Sequence, residues 1–319
     1  VLALGGNHLT IRPYFFAAFV PFLLALSPAH ALSNRAWVSG HGSDSAGCGS
    51  PGAPCRTLQY VHDNVIAAGG EIDILDPAGY GAVTISKAVS IVNDGVGAAG
   101  VQAASGNAIT INAGASDVVT LRGLDIDGLG TGDNGIVFNS GAGLTVVNCV
   151  VRHFAGGGQT TGNGILIQPS GAIGFLISNV VASDNGWTGI YYGPPSGSSA
   201  RAGVIDRVTA VNNSKGIWVA PLSGAATVAL SNSVMNNNGV GIEATPGSTV
   251  SIDSSTMSNN DIGLDAYGSA IVLLGRSAIT ANNAGIQNTA NTVYTYGDNR
   301  INGNSTDIAN ALNTTDKPQ

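Results

Sequence analysis

The chain has 319 residues, 10% of them charged, and a formal net charge of −7. An acidic chain with no cluster of Lys and Arg offers no electrostatic footprint for nucleic acid and no attraction for an anionic polysaccharide such as pectate or alginate. Hydrophobic residues reach 44% and Pro numbers only 12, which excludes a Pro-rich disordered chain and predicts a buried core under a surface of small polar residues.

At the amino terminus, Arg12 precedes an apolar run over 14–26, and Ala29-His30-Ala31 supplies a small-x-small cleavage site. Residues 1–31 therefore read as a secretory signal peptide, cleaved after Ala31. The run is too short, and too interrupted by Pro21, to span a bilayer. A secreted or periplasmic location follows. Export suits Cys48 and Cys55, which close a Gly/Pro-rich loop and are expected to form a disulfide. A metal there would need His41 and His62, whose spacing fits no zinc pattern. Cys149 lies in an apolar strand and reads as a buried free thiol.

Residues 32–70 read as an amino-terminal cap. Within it, 58–68 predicts an amphipathic helix with Leu58, Val61, Val65 and Ile66 on one face. A cap is needed because the end of a stacked-strand fold exposes apolar core and unpaired strand edge. The stack itself is expected over 71–305. A glycine followed by an aliphatic residue recurs at Gly135-Ile136, Gly164-Ile165, Gly189-Ile190, Gly216-Ile217, Gly241-Ile242, Gly263-Leu264 and Gly285-Ile286. Each beat carries short strand-like runs, and a period in the twenties marks a solenoid. One repeat is then one coil of parallel strands, stacked about 4.8 Å from the next. About ten coils would make a rod roughly 50 Å long. Asn212, Asn237 and Asn259 share one position of the repeat, and Asn213, Asn238, Asn260 and Asn282 share the next. Asn tolerates left-handed backbone at sharp corners, and stacked amides bond along a ladder. Residues 306–319 are polar and read as a tail that caps or frays.

Several segments resemble the amino-terminal signature of the pectin-lyase-like right-handed parallel β-helix superfamily. They are Trp37-Val38-Ser39 with Gly42-Ser43-Asp44, the Pro54/Thr57-Leu58-Gln59 element, Glu71-Ile72-Asp73-Ile74-Leu75 and Asp76-Pro77-Ala78-Gly79-Tyr80. The later coils, down to Tyr296-Gly297-Asp298-Asn299 and Ile301-Asn302-Gly303-Asn304, resemble the generic repeats and last coil of its exported bacterial members. The resemblance implies an all-β fold: a single-stranded right-handed parallel β-helix with a helical cap. It leaves activity open, because that fold hosts lyases, hydrolases, epimerases, adhesins and tailspikes. The Asn-Thr-Asp, Asp-Asp and Arg-Ile-Lys elements of polygalacturonase-like members are absent, and Gly40-His41-Gly42 falls in the cap rather than on a coil. His153 follows Arg152 at a strand end, and no nucleophile-elbow context signals a Ser-His-Asp triad.

Two groups of residues carry the functional expectation. Asp125 and Asp127 alternate on one strand with Asp133 just beyond, near Arg122 and Arg152, and are the candidates for calcium. Solvated acids beside a turn are the simpler reading, so no cofactor is expected. The second group follows from register. If each aliphatic after Gly points inward, the next residue points outward, giving the row Val137, Leu166, Tyr191, Trp218, Glu243, Asp265, Gln287. Aromatic rings beside carboxylates suit a glycan: rings pack on sugar faces and acids take hydroxyls. The extra residues 155–162 and 193–200 flank this row as groove walls. Glu243 above Asp265 also invites glycosidic catalysis, since adjacent carboxylates force one pKa upward. The expectation is an exported protein that binds a polysaccharide or cell-surface glycan through Tyr191, Trp218, Glu243 and Asp265 without turnover. The alternatives are a polysaccharide lyase, hydrolase or epimerase, and a structural rod that self-associates through a second outward column, Leu176, Ala229, Leu273 and Tyr294.

Overall fold

A computed structural model describes residues 1–3, 5–6, 32–171, 173–196, 201–289 and 292–314. The expected signal peptide lies almost wholly outside the described residues. Contacts divide the chain into Val1–Ala31 and Leu32–Gln319, and the second unit holds the fold. Among the described residues no helix is long and apolar enough to cross a membrane.

Each coil contributes one strand to each of three sheets, and every inter-strand pairing is parallel. The first sheet has 12 strands and the second and third have 10 each. A single coil shows the plan: Val118–Arg122 lies in the first sheet, Leu124–Asp127 in the second and Asn134–Ser140 in the third. Alternation fills the interior. Ile109, Ile136, Ile165, Ile190, Ile217, Ile242, Leu264 and Ile286 stack in one inward column, none more than 1% exposed. Burying each such side chain contributes about 1.5–3 kcal/mol, so the stacked columns hold the rod together.

Two sharp corners per coil are made by single left-handed residues. Asn148, Asn179, Arg207, Asn232, Ser254 and Arg276 turn the chain from first to second sheet, with φ between 48° and 57°. His153, Asp184, Asn212, Asn237, Asn259 and Ala281 turn it from second to third, with φ between 52° and 60°. The paired Asn positions divide the work. The first of each pair takes the left-handed turn, and the second points inward and is buried. Asn185, Asn213, Asn238, Asn260, Asn282 and Asn304 form an internal amide ladder, each side-chain NH2 donating to the next side-chain carbonyl at 2.8–3.1 Å. Each side-chain carbonyl also accepts the backbone N–H of the preceding coil, as Asn282 does from Asn260 at 2.9 Å. The ladder satisfies polar groups that a coil corner buries. At the other corner Ser233, Ser255 and Ser277 do the same, each hydroxyl accepting a backbone N–H from the coil before at 3.1–3.2 Å.

The amino-terminal end departs from the expected boundaries. Ser33–Val38 already pairs with Ile66–Ile74, so the first sheet begins inside the segment 32–70, with Ala36 and Val38 fully buried. The helix is Leu58–Asn64 rather than 58–68. Thr57 caps its start by accepting from the Tyr60 N–H, and its end is set by Ile66, which enters the strand. Leu58 and Val61 seat it on the core. Asp76 joins this cap to the next coil: its carboxylate accepts from Ser39 Oγ at 2.6 Å, the Gly40 N–H at 2.7 Å and the Tyr80 hydroxyl at 2.7 Å. Those three donors hold Asp76 below the usual carboxylate range although burial opposes them. Cys48 and Cys55 form the expected disulfide, with Cα atoms 5.0 Å apart.

At the other end the segment 306–319, expected to cap or fray, begins as strand. Thr306–Ala309 pairs with Ala284–Asn288, and Asn313–Thr314 with Val293–Thr295; Ile308 stands in register with Ile286 but is 40% exposed.

Candidate functional site

The outward row on the third sheet exists rung by rung. Val137 pairs with Leu166, Leu166 with Tyr191, Tyr191 with Trp218, Trp218 with Glu243, Glu243 with Asp265, and Asp265 with Gln287. A second outward row lies two residues on, where the N–H groups of Thr245 and Tyr267 bond across to Val219 and Ala244 and align Ala220, Thr245 and Tyr267.

The aromatic half of this row is closed, which corrects the expectation of an open sugar platform. Tyr191 is 4% exposed and Trp218 is 6% exposed. Their rings stack with centroids 4.3 Å apart and 18° between planes. The Lys215 ammonium lies over Trp218, 3.9 Å from its ring centre. Neither face of the Trp218 indole is left for a sugar. Trp187 meets it edge-on at 6.2 Å. Covering is done by the lengthened coils. Gly193 runs so close over Tyr191 that a Cβ there would sit 2.3 Å from the ring, which only glycine permits. Of the two expected walls, 155–162 is described throughout, and 193–200 only to 196.

The acidic half is organised differently. Lys215 Nζ lies 2.7 Å and 2.6 Å from the two Glu243 carboxylate oxygens, in a pair whose side chains are 14% and 7% exposed. Glu243 is therefore neutralised. Asp265, one coil further, is half-buried and has no hydrogen bond or ion pair among the described residues. Burial first, and then the Glu243 charge, push its carboxyl above the ordinary value of 3.8, with Lys215 opposing. Burial and the same two acids raise the Tyr267 phenol.

Where the strands Lys215–Val219, Val240–Ala244 and Ile262–Ala266 end, their turns enclose an open groove of about 530 Å³. Trp218, Pro221, Leu222, Thr245, Pro246 and Tyr267 form much of its wall. Leu222 is 61% exposed and Tyr267 38%, so apolar and aromatic surface faces solvent here. No Lys or Arg lines it among the described residues. Trp218 Nε1 is buried without a hydrogen-bond partner among the described residues. Glu243 and Asp265 do not line the groove themselves; they lie on the neighbouring outward row, two residues before Thr245 and Tyr267, which do.

The structure does not assemble the calcium candidates. Arg152 bridges Asp125 at 3.3 Å and Asp127 at 3.0 Å, occupying the place between them with a guanidinium. Asp127 also accepts from the Leu129 N–H at 2.8 Å and meets His153 Nδ1 at 3.2 Å. Its carboxyl is held below the usual range by Leu129, His153 and Arg152, against burial. Among the described residues no three His, Cys, Asp or Glu side chains, Asp133 included, converge as a metal cage. Arg122 is engaged with Asp94 at 3.1 Å. His62 is structural: it is buried and accepts the Ser86 N–H through Nε2 at 3.1 Å. Cys149 is a buried thiol, pushed up to about 11 by burial.

Two site residues escape the repeat-based reading. Tyr267 follows from the same alternation extended by two residues. Lys215 precedes Gly216, where alternation breaks, and carries no signal before the fold is known.

Residues 163–318 match the family described as the right handed beta helix region. The three-sheet coil makes this chain a parallel β-helix protein, and the match over its carboxy-terminal part supports a right-handed β-helix of the pectin-lyase-like kind. None of the curated proteins or solved structures compared with it matches.

Proposed function

We propose that the protein is an exported glycan-binding β-helix, and that the ligand lies in the groove between Trp218 and Tyr267 rather than on the face of the Tyr191–Trp218 stack. The observation that carries this reading is Asp265: a half-buried carboxylate without a donor among the described residues, on the row beside the exposed Tyr267 ring that lines the groove. A desolvated carboxylate without partners is costly, and sugar hydroxyls are donors that would satisfy it. Tyr267 offers a ring for a sugar's apolar face. The Cys48–Cys55 disulfide is compatible with export.

Binding without turnover is preferred because Glu243 is committed to Lys215. One observation favours the enzymatic alternative: the raised Asp265 carboxyl suits a general acid. A glycosidase also needs a second available carboxylate, and Glu243 is not one in this arrangement.

The test is a glycan-array screen of the protein and its Tyr267→Ala variant, with product analysis on every hit. Binding that Tyr267→Ala abolishes, without product, supports the proposal. Product formation that Asp265→Asn abolishes supports the enzyme. Absence of glycan binding together with concentration-dependent size supports the rod, whose column on the first sheet aligns Leu176, Val204, Ala229, Ser251, Leu273 and Tyr294, apolar or aromatic except at Ser251.

A further inference from the structure

We infer that the groove selects glycans bearing free amines, cationic amino sugars, over both their acetylated counterparts and uronic acid glycans. The inference rests on the glycan-binding reading and assigns its ligand class. Three observations carry it. First, charge at the site is unbalanced. Lys215 and Glu243 cancel each other, which leaves Asp265 as the uncompensated group. Second, the groove wall supplies no cation: its residues are Trp, Pro, Leu, Thr, Tyr and other uncharged types. A uronate carboxylate entering here would meet Asp265 with nothing to neutralise it, and like charges in a partly desolvated site repel strongly. A protonated sugar amine instead gives Asp265 the charge-assisted hydrogen bonds it lacks. Third, Tyr267, which is 38% exposed in the groove wall, lies close enough to Asp265 for that charge, after burial and Glu243, to raise its phenol, so a sugar packed on the ring brings its substituents toward the carboxylate. The neighbouring groups that face Asp265 are Glu243, Lys215 and Tyr267, and of these only Lys215 is cationic and it is already paired.

The experiment measures affinity by titration calorimetry for three probes of equal length: a glucosamine tetrasaccharide, an N-acetylglucosamine tetrasaccharide and a galacturonate tetrasaccharide. The pH is set where the amines and Asp265 are both charged. The expected result is about tenfold tighter binding of the amine probe than of the acetylated one, with no measurable galacturonate binding. The advantage should shrink as salt rises, and Asp265→Asn should erase it, bringing the amine and acetylated probes to a common affinity. Equal affinity for amine and acetylated probes, or galacturonate binding, overturns the inference while leaving glycan binding intact. A preference that survives in Asp265→Asn also overturns it, because it would then reflect the general acidity of the chain. Failure of all three probes, in a protein that binds nothing on the array, overturns the glycan-binding reading itself.

Discussion

The Lys215 ammonium of one coil lies 2.6 Å from the Glu243 carboxylate of the next, beneath the ring of Trp218. Backbone ladders already join these coils, so the pair's distinctive effect is on the outer face. It holds a cation against an indole, fixes Glu243, and leaves Asp265 as the unpaired acid of the row. Removing one partner from a buried pair leaves the other charge unpaired. Glu243→Gln is expected to destabilise the protein by about 3 kcal/mol in chemical denaturation. Adding Lys215→Met should recover most of that loss. A double variant no more stable than Glu243→Gln would show that the cost lies elsewhere.

Asp265 should behave in the opposite sense. Its carboxyl is raised in the folded state, so the fold binds its proton more tightly than the unfolded chain does. Stability from this group is present at pH below the ordinary value of 3.8 and is lost as pH rises through the raised folded value. Asp265→Asn is therefore expected to stabilise the protein at neutral pH, with the gain fading on acidification. Thermal melts of both proteins across that range check this. A variant less stable than wild type at neutral pH would mean that Asp265 has a partner.

The Asn columns predict two different costs for adjacent residues. Asn260 donates to Asn282 Oδ1 at 3.0 Å and to the Met235 carbonyl at 3.1 Å, and accepts from Asn238. Asn260→Ala strands those buried groups and should cost about 3 kcal/mol. Asn259 needs only its left-handed backbone, with φ of 55°. Asn259→Gly should change stability by less than about 0.5 kcal/mol, because glycine adopts that conformation freely. Equal losses from the two substitutions would remove the distinction between turn and ladder.

Much of the fold was legible because the repeat is a hydrogen-bond register. Gly-aliphatic spacing alone aligns Tyr191, Trp218, Glu243 and Asp265 on consecutive rungs. Alternation also tells inward from outward, but it does not tell open from covered. Burial of Tyr191 and Trp218 depends on where Gly193 and the turns after the strands run, and those paths are tertiary. Lys215 illustrates the same limit: its side chain reaches a carboxylate 28 positions away in sequence, across a coil boundary. The helix ends at Asn64 although Val65 and Ile66 continue an apolar helical face, because the strand ladder to Ser33 claims them first. Asp125 and Asp127 share a face as alternation requires, yet Arg152 from the next coil decides what they do.

The central claim is that ligand occupies the groove at Tyr267 and not another face of the rod. It is tested most directly by titration calorimetry of the strongest array hit against three proteins: wild type, Tyr267→Ala, and Leu273→Ser on the first sheet. The account predicts that Tyr267→Ala weakens binding at least about tenfold, in keeping with loss of a ring stacked on sugar, while Leu273→Ser binds as wild type. Full affinity in Tyr267→Ala, or loss of binding in Leu273→Ser with the fold intact, would contradict it.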